Sequence, residues 1–392
     1  LNKKEWQITL VDQFKSHYYQ PGFLFIPFGT YQPEDVKRTI DEFLPKGIQL
    51  IREKIDRIDK DTDTVILENG RNVKYDILII ATGCKIAPEE VPGMKGDTWQ
   101  KNIFDFYTFE GSCALAKKLE TWPGGKLVVH ITEMPIKCPV APLEFAFLAD
   151  DYFTKKGMRD KVEISYVTPL SGAFTKEKCT KALEYLLKDK NIKIVPDFAV
   201  EHIEGENGKM FDYGGEVVDF DLLVTVPTNM GDECILRSGF GDDLNYVPTD
   251  KNTLQSKVKE NIFVIGDATN VPASKAGSVA HFEAEILTEN ILKYIEGKPL
   301  NPKFDGHANC FIETGKGKAL LIDFNYDVEP LKGKFPFAGI GPLNLLEESA
   351  FNHFGKMAFK WVYWNMLLPA RKIPFVTPTM SRAGKKFDKE TV

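Results

Sequence analysis

Apolar residues occur along the chain in short runs that end at glycine-containing turns, and two of these runs organise the rest. Residues 262–265 (IFVI) are followed by Gly266, Asp267 and Ala268, and a helical pattern begins within about ten residues. Residues 75–83 (YDILIIATG) form a second run that ends in Ala-Thr-Gly. Each run predicts a strand with a turn at its C-terminal end, where ligands bind in open α/β sheets. Taken alone, Asp267 is either a ligand of a cofactor or a helix cap.

Other apolar runs predict an α/β chain with two domains. The predicted strands span residues 6–11, 47–51, 63–67, 72–74, 127–131, 162–167, 192–195 and 222–226, and the predicted helices span residues 104–122, 142–156 and 176–189. The alternation of strands and helices from residue 126 to 226 predicts a parallel sheet of the doubly wound kind. We therefore predict two Rossmann-like dinucleotide-binding domains, residues 1–105 with 250–335 and residues 106–249, and a C-terminal amphipathic segment, residues 336–392.

The C-terminal segment has apolar residues at helical spacing between residues 347 and 368. They are Phe351, Phe354, Met357, Ala358, Trp361, Val362 and Leu368, with Lys356 and Lys360 on another side of the predicted helix. The aromatic residues and the basic residues that follow suit a helix lying at a bilayer surface. A helix in the core or in an oligomer interface is the alternative. We predict that residues 374–392, at the C-terminal end, form a polar and poorly ordered tail.

Composition and charge narrow the function classes. With 392 residues, 43% of them hydrophobic, the chain can bury two sizeable cores. A net charge of −6 argues against nucleic-acid binding. The sequence has no apolar run of about 18 residues, so no membrane-spanning helix is expected. The six cysteines show no CxxC pair or zinc spacing, which argues against a disulfide framework and a metal site.

The first predicted strand ends at Asp12, and an acidic residue at this point of a dinucleotide fold hydrogen-bonds the adenosine ribose. Asp12 is therefore a candidate ribose ligand. The strand–GxGxxG–helix unit that normally precedes such a residue is absent from the sequence. We expect an N-terminally incomplete copy of a longer protein. A truncated product that binds the dinucleotide poorly is the alternative.

The first βα turn of the second predicted domain also lacks a GxGxxG loop. In its place stands ITEMPIKCPVAPLEFA, whose prolines leave no room for the turn that receives a pyrophosphate, so NAD(P) is not expected as the electron donor. Cys138 lies in this segment just before a predicted helix, a position that lowers a thiol pKa. A structural cysteine is the competing interpretation.

Residues 18–28, which include Pro21, either lie against a ring system or fill a gap in the core.

These motifs together resemble one family. They are Ala81-Thr82-Gly83, the Cys-Pro-x-Ala-Pro-x-Glu pattern from Cys138 to Glu144, Gly266-Asp267-Ala268, Lys275 in a Pro-x-x-Lys-x-Gly loop, and Cys310. Their order and spacing resemble the sulfide:quinone oxidoreductases and the related flavoprotein subunit of flavocytochrome c sulfide dehydrogenase. The resemblance implies a flavoprotein fold of the disulfide-reductase type with FAD bound non-covalently.

The resemblance also implies roles for particular residues. Cys138 and Cys310 would form the redox-active pair beside the flavin ring, Glu144 would move protons, and Lys275 would lie on the quinone-facing side. Both Glu144 and Lys275 have a plainer alternative, a glutamate at a helix start and a solvated loop lysine. The remaining predicted FAD contacts are Ala81, Thr82, Gly83, Gly266, Asp267 and Ala268 from these motifs, together with Asp12 at its strand end and Pro21 in the aromatic segment. Cys113 does not align with the third cysteine of other family members, whereas Tyr107 does, so the two-cysteine type is expected.

The activity implied by the resemblance is oxidation of sulfide to polysulfide or elemental sulfur. Hydrosulfide would attack the Cys138–Cys310 disulfide, and the freed thiolate would pass two electrons to FAD and then to membrane quinone. The protein would be peripheral on the cell (inner) membrane, on a side that the sequence does not define, and a homo-oligomer is left open. A cytochrome acceptor and a non-catalytic scaffold with a flavoprotein fold are the alternative functions.

Overall fold

The computed structural model of the chain describes residues 4–337 and 339–387. Those parts of the predicted first domain, C-terminal segment and tail that fall on residues 1–3, 338 and 388–392 lie outside the described residues. The described chain contains six α-helices, short 3₁₀ turns and several small sheets beside one larger parallel sheet.

The larger sheet has five parallel strands, four of them in the second predicted domain and one, Ile103–Phe104, in residues predicted for the first domain. In spatial order they are Ile103–Phe104, Leu222–Val226, Gly125–Ile131, Val162–Val167 and Ile192–Val195. Helices α1 (Phe109–Thr121), α2 (Ala141–Lys155) and α3 (Glu177–Asp189) accompany it. The side chains of Leu222–Val226 are all buried, as expected for a parallel strand covered on both faces.

The first predicted domain contains two separate parallel strand pairs. Ile8–Val11 pairs with Ile48–Ile51, and Leu78–Ile80 pairs with Ile262–Val264. Within the described residues neither pair joins the other, and Ile8 and Ile79 remain exposed. The central strand position of a dinucleotide-binding sheet is therefore not filled by a described strand.

Short antiparallel sheets and two further helices surround these parallel strands. The sheets are Ile55–Asp59 with Thr64–Leu67 and Asn72–Lys74, Val200–Glu204 with Lys209–Asp212 and Val217–Asp219, Ser16–Tyr18 with Lys37–Thr39, and Cys84–Ala87 with Thr228–Gly231. Helix α4 spans Glu233–Ser238 and helix α5 spans Gly277–Ile295. The sheet of Cys84–Ala87 and Thr228–Gly231 joins the two predicted domains directly after the Ala-Thr-Gly turn.

The C-terminal part of the chain adds a four-stranded sheet and a helix. The strands, in spatial order, are Ala308–Gly315, Lys318–Phe324, Leu343–Leu345 and Gly333–Phe335. Helix α6 spans Ala350–Val362 and continues as a π-helical turn, Tyr363–Leu367. The helix packs on this sheet with Asn352 and Lys356 buried, whereas Phe351, Phe354 and Trp361 are exposed.

The prediction of a poorly ordered tail is wrong for residues 374–387. The side chain of Lys385 is covered, with its Nζ 3.4 Å from Oδ2 of Asp323, and the Met380 amide donates to Oδ2 of Asp305 at 3.0 Å. The Thr377 carbonyl lies 3.0 Å from Nδ1 of His307, whose ring stacks on Phe282 of α5. The tail therefore packs against the strand and helix that lead to the candidate site.

Asn352 fixes α6 to the sheet below it. Its Oδ1 accepts from the Asn344 amide, and its Nδ2 reaches the carbonyls of Ala319, Asn344 and Glu347 at 2.8 to 3.1 Å. Asn352→Ala leaves these buried groups without partners, so we expect the free energy of unfolding to fall by about 3 kcal/mol. Urea denaturation measures the change. Asn365→Ala, which removes one bond to the Trp361 carbonyl, is the control, and equal losses in both variants would contradict this role.

Candidate active site

The Ala-Thr-Gly and Gly-Asp-Ala turns lie side by side. Strand Leu78–Ile80 pairs in parallel with Ile262–Val264, and the Ile265 amide donates to the Ile80 carbonyl at 3.1 Å. Because adjacent parallel strands end at the same edge, Ala81, Thr82 and Gly83 follow one strand where Gly266 follows the other. Gly83 and Gly266 have φ angles of 69° and 69°, a region that disfavours any side chain. The predicted cofactor edge is thus built by both motifs.

Asp267 and Lys275 are held together at this edge. Lys275 Nζ donates to the carbonyls of Asp267 at 3.0 Å and Thr269 at 2.6 Å and lies 3.8 Å from the centre of the Tyr246 ring. Burial lowers the pKa of Lys275, and the Asp267 charge opposes this shift. The alternative of a solvated loop lysine is wrong, since the side chain is buried. The Cys84 thiol lies 3.7 Å from Oδ2 of Asp267.

Two buried hydroxyls at this edge lack a hydrogen-bond partner among the described residues. They are Oγ1 of Thr82 and Oγ of Ser274, the neighbour of Lys275. A buried polar atom needs a partner, so these hydroxyls fit a polar ligand at the two turns. The Asp267 carboxylate can accept hydrogen bonds from ribityl hydroxyls of a flavin. The residues present therefore fit the flavin half of FAD, while the sequence supplies no GxGxxG loop for its pyrophosphate.

Cys138 lies directly beside the Lys275 loop. Its amide donates to the Lys275 carbonyl at 2.6 Å, its own carbonyl accepts from the Ala141 amide at the start of α2, and Tyr107 Oη donates to the same carbonyl at 3.1 Å. Cys138 has a φ angle of 49°, a conformation uncommon outside glycine and one that tends to occur at functional sites. Tyr107, which was predicted to stand at the position of the third cysteine, thus supports the Cys138 loop.

Cys310 lies on a different element, where burial raises the pKa of its thiol and the Cys138 charge raises it further. It lies on strand Ala308–Gly315, which packs against α2, and its charge interacts with that of Cys138. Both residues are half-buried free thiols. Burial raises the pKa of Cys138 to about 12, Glu144 adds to the increase, and burial also raises the pKa of Cys310. The prediction of a lowered Cys138 pKa is therefore wrong, because burial outweighs the nearby helix start.

Glu144 and Lys356 form a buried ion pair next to the two thiols. Lys356 Nζ lies 2.8 Å from Oε1 of Glu144, which also accepts from the Glu313 amide at 2.8 Å, and Lys356 donates to the Phe311 carbonyl at 3.0 Å. Burial raises the pKa of Glu144 and Lys356 opposes this shift. Glu144 lies in the first turn of α2, as the helix-start alternative has it, but it is fully buried and paired with Lys356. Its Oε2 has no hydrogen-bond partner among the described residues.

A second acidic residue, Glu313, lies on the same strand as Cys310. Its carboxylate oxygens are 3.0 and 2.9 Å from Nδ1 of His353, one helical turn before Lys356 on α6. Burial raises the pKa of Glu313 to about 7, and the hydrogen bond from His353 opposes the shift. Glu313 and His353 were not among the predicted site residues, and Lys356 was predicted only to lie on another side of the helix from the apolar residues. One sign of this arrangement was present in the sequence. His353 and Lys356 are three residues apart, so they share a helix face that is not the face of the exposed aromatic residues.

The two remaining predicted cofactor contacts, Asp12 and Pro21, lie near the beginning of the described chain. Asp12 follows strand Ile8–Val11, and its Oδ1 accepts from the Phe14 amide at 2.8 Å. Pro21 is in the 3₁₀ turn Gln20–Phe25, and Gln20 accepts from Lys137 Nζ at 3.0 Å, which ties this turn to the Cys138 loop. The turn is largely buried, in agreement with the core-filling alternative.

No cluster of His, Cys, Asp and Glu residues in the part of the chain that the structure describes is suited to bind a metal ion. The convergence of two thiols, a buried Glu–Lys pair and two strand-end turns instead points to thiol chemistry next to a bound cofactor.

Comparisons with known proteins agree with this geometry. No protein-family model matches the chain. The chain is 28% identical over 378 residues to a mitochondrial sulfide:quinone oxidoreductase of Dictyostelium discoideum, covering 94% of this chain and 81% of that protein. Its structure is similar to that of the sulfide:quinone oxidoreductase from Aquifex aeolicus, with a TM-score of 0.75, 22% identity and coverage of 94% and 86%.

A chain in the mitochondrial ATP synthase structure from Tetrahymena thermophila has a similar fold, with a TM-score of 0.74, 16% identity and coverage of 94% and 91%. This likeness concerns the fold alone. The structural neighbours confirm the predicted α/β flavoprotein fold. The sequence similarity to sulfide:quinone oxidoreductases confirms the resemblance drawn from the motifs. The chain is therefore similar to sulfide:quinone oxidoreductases over most of its length.

Proposed function

We propose that this protein is a flavin-dependent oxidoreductase that oxidises sulfide and passes the electrons to membrane quinone. The observation that carries the proposal is the convergence of Cys138 and Cys310 beside the edge formed by Ala81-Thr82-Gly83 and Gly266-Asp267-Ala268. The Lys275 carbonyl holds the Cys138 amide, so the thiol loop and the cofactor edge are directly connected. The cysteine pair is the place at which sulfide, the electron donor, reacts.

Each residue of the site has its own role in this reaction. Cys138 and Cys310 in the disulfide form present a sulfur that hydrosulfide attacks, giving a persulfide on one cysteine and a thiolate on the other. Lys356 places a positive charge beside this thiolate, and Glu144 balances that charge when the thiolate is absent. FAD, when bound, supplies a two-electron acceptor. Asp267, with the Thr82 and Ser274 hydroxyls, orients the cofactor at the strand ends, and Lys275 fixes Asp267 in place.

The quinone side of the proposal rests on helix α6. Phe351, Phe354 and Trp361 are 63%, 68% and 62% exposed on its outer face, whereas polar Asn352 and Lys356 face inward. Such an apolar outer face suits the headgroup region of a bilayer and is unfavourable in water. No helix within residues 4–337 or 339–387 is long and apolar enough to cross a membrane. We therefore propose peripheral membrane attachment through α6.

Replacing both Phe354 and Trp361 by Glu is expected to weaken binding to phospholipid vesicles by about 100-fold or more, because each buried aromatic ring contributes about 1.5–3 kcal/mol. Vesicle co-sedimentation measures the partition. The matched control replaces Tyr185 and Tyr213, which are at least as exposed as Phe354 and Trp361 but lie elsewhere, by Glu and should bind as the unaltered protein does. Unchanged binding of the Phe354/Trp361 variant would refute attachment through α6.

Sulfide-dependent reduction of decylubiquinone by the purified protein in detergent tests the function itself. We expect quinone reduction that requires sulfide and is not supported by NADH or NADPH, because the second domain has no nicotinamide loop. Electron transfer to a c-type cytochrome with none to quinone would favour the sulfide dehydrogenase alternative. A protein that reduces neither acceptor would contradict the proposal.

A further inference from the structure

Basic and acidic residues are unevenly distributed near the C-terminal end of the chain. Residues 349–387 contain seven Lys and Arg residues and no Asp or Glu, although the whole chain has a net charge of −6. Three of these cations lie beside carboxylates, with N–O distances of 2.8 to 3.6 Å, and they are Lys356, Lys360 and Lys385. The other four are exposed and have no carboxylate partner within residues 4–337 and 339–387, and they are Arg371, Lys372, Arg382 and Lys386. We refer to residues 371–386 as the basic segment.

The basic segment lies against the hairpin that contains strands Gly333–Phe335 and Leu343–Leu345. The Lys386 amide donates to the Lys332 carbonyl at 2.9 Å, directly before the first of these strands. Lys332 is itself exposed. The hairpin therefore adds a further cation to the surface that the basic segment forms.

The same surface exposes apolar side chains. Phe337, Ile340 and Phe375 are 48%, 82% and 63% exposed, and the ring centres of Phe337 and Phe375 lie 5.2 Å apart. Lys372 and Arg371 precede Phe375 by three and four residues. Exposed apolar side chains next to unpaired cations suit the interface of a bilayer, because the apolar groups can enter the acyl region while the cations remain among the headgroups.

A bilayer fits this surface better than an acidic protein does, because the surface continues the exposed face of α6. The π-helical turn after α6 ends at Leu367, four residues before Arg371. Six of the fifteen large hydrophobic side chains that are exposed in the described chain lie within residues 337–375. Apolar and basic groups concentrated in one stretch of chain are typical of a surface that contacts lipid.

We propose that the basic segment and its hairpin form a second membrane contact, which binds the headgroups of anionic phospholipids. This inference rests on the proposed membrane attachment through α6 and adds the class of lipid. A protein with a net charge of −6 is repelled by an anionic surface if its charge is evenly spread. The unpaired cations of the basic segment reverse this locally, since an anionic leaflet attracts each Lys or Arg near its surface.

Two kinds of vesicle test the lipid preference, phosphatidylcholine alone and phosphatidylcholine with about 30% phosphatidylserine. In co-sedimentation at about 0.1 M salt, we expect binding to the anionic vesicles to be about 100-fold tighter or more, because each basic side chain near an anionic surface contributes about fivefold. At about 1 M salt the preference should fall to within about threefold, because charges are then screened over about 3 Å.

Replacing all four unpaired cations of the basic segment by Gln should remove this preference, while binding to phosphatidylcholine vesicles stays within about twofold of that of the unaltered protein. The retained binding to neutral vesicles also shows that the variant is folded. The matched control makes the same change of charge at four exposed lysines elsewhere and should keep the preference. These lysines are Lys101, Lys188, Lys193 and Lys257.

The outcomes separate the lipid preference from the attachment through α6. Equal binding of the unaltered protein to both kinds of vesicle, or a preference that survives the four Gln replacements, would overturn the inference and leave attachment through α6 in place. If the Phe354/Trp361 variant described above keeps its binding to neutral vesicles but the preference for anionic vesicles depends on the basic segment, attachment through α6 is wrong and the inference stands. If the unaltered protein binds neither kind of vesicle, both are wrong.

Discussion

Cys138→Ser and Cys310→Ser are each expected to slow flavin reduction by sulfide by more than about 10³-fold, because a serine hydroxyl can neither form the disulfide nor leave as a thiolate. Both side chains are half-buried, and serine has nearly the same volume, so the fold should persist. Stopped-flow absorbance of the flavin under anaerobic conditions measures the rate.

Cys113→Ser is the matched control for these variants. Cys113 is also a half-buried free thiol, but it lies on α1 outside the site, and it is the cysteine that falls in the interval of the third cysteine of other family members. We expect its replacement to leave the rate within about twofold, in agreement with a two-cysteine mechanism. Reduction that survives in both Cys138→Ser and Cys310→Ser would rule out the cysteine pair as the route of electrons.

Lys356→Met is expected to lower the free energy of unfolding by about 3–5 kcal/mol at neutral pH, because it leaves the buried Glu144 carboxylate without its cation. Glu144→Gln in the same chain should restore much of the loss, since it removes the uncompensated charge. Urea denaturation measures both. Lys360→Met, on the same helix, removes a more exposed contact to Asp35 and should cost less than about 1 kcal/mol.

The effect of Lys356→Met should depend on pH. Burial already raises the pKa of Glu144, and loss of Lys356 raises it further. A carboxyl whose pKa is raised on folding contributes stability below its unfolded pKa and loses that contribution as pH rises through the folded value. The variant is therefore expected to be closest to the unaltered protein near pH 5 and furthest from it near pH 8. An equal loss at both pH values would indicate that packing, and not the Glu144 charge, sets the cost.

Local patterns predicted the central part of the fold well. Strand Ile192–Val195 was predicted with both its ends, and α3 was predicted to within one residue, because alternating apolar runs and turns determine such elements locally. The helix predicted over residues 104–122 begins later, at Phe109, because the side chain of Thr108 caps α1 by accepting from the Gly111 amide. The motif residues at the two strand ends meet as expected because parallel strands share an edge.

The parts that sequence reasoning missed depend on contacts between distant segments. Lys356 was predicted on the side of an amphipathic helix away from its apolar residues, but it is buried against Glu144, which lies 212 residues away in the chain. The helix therefore buries a polar face and exposes an aromatic one, an orientation that periodicity alone cannot determine. The Cys138 pKa was misjudged for the same reason, because proximity to a helix start is local whereas burial depends on Cys310, Glu144 and their surroundings.

Anaerobic titration of the purified protein with sulfide, followed by flavin absorbance, tests the central claim most directly. The account predicts that the protein carries a flavin spectrum and that sulfide bleaches it with two electrons for each sulfur oxidised. A protein that binds no flavin, even after incubation with FAD, or a bound flavin that sulfide leaves oxidised, would contradict it.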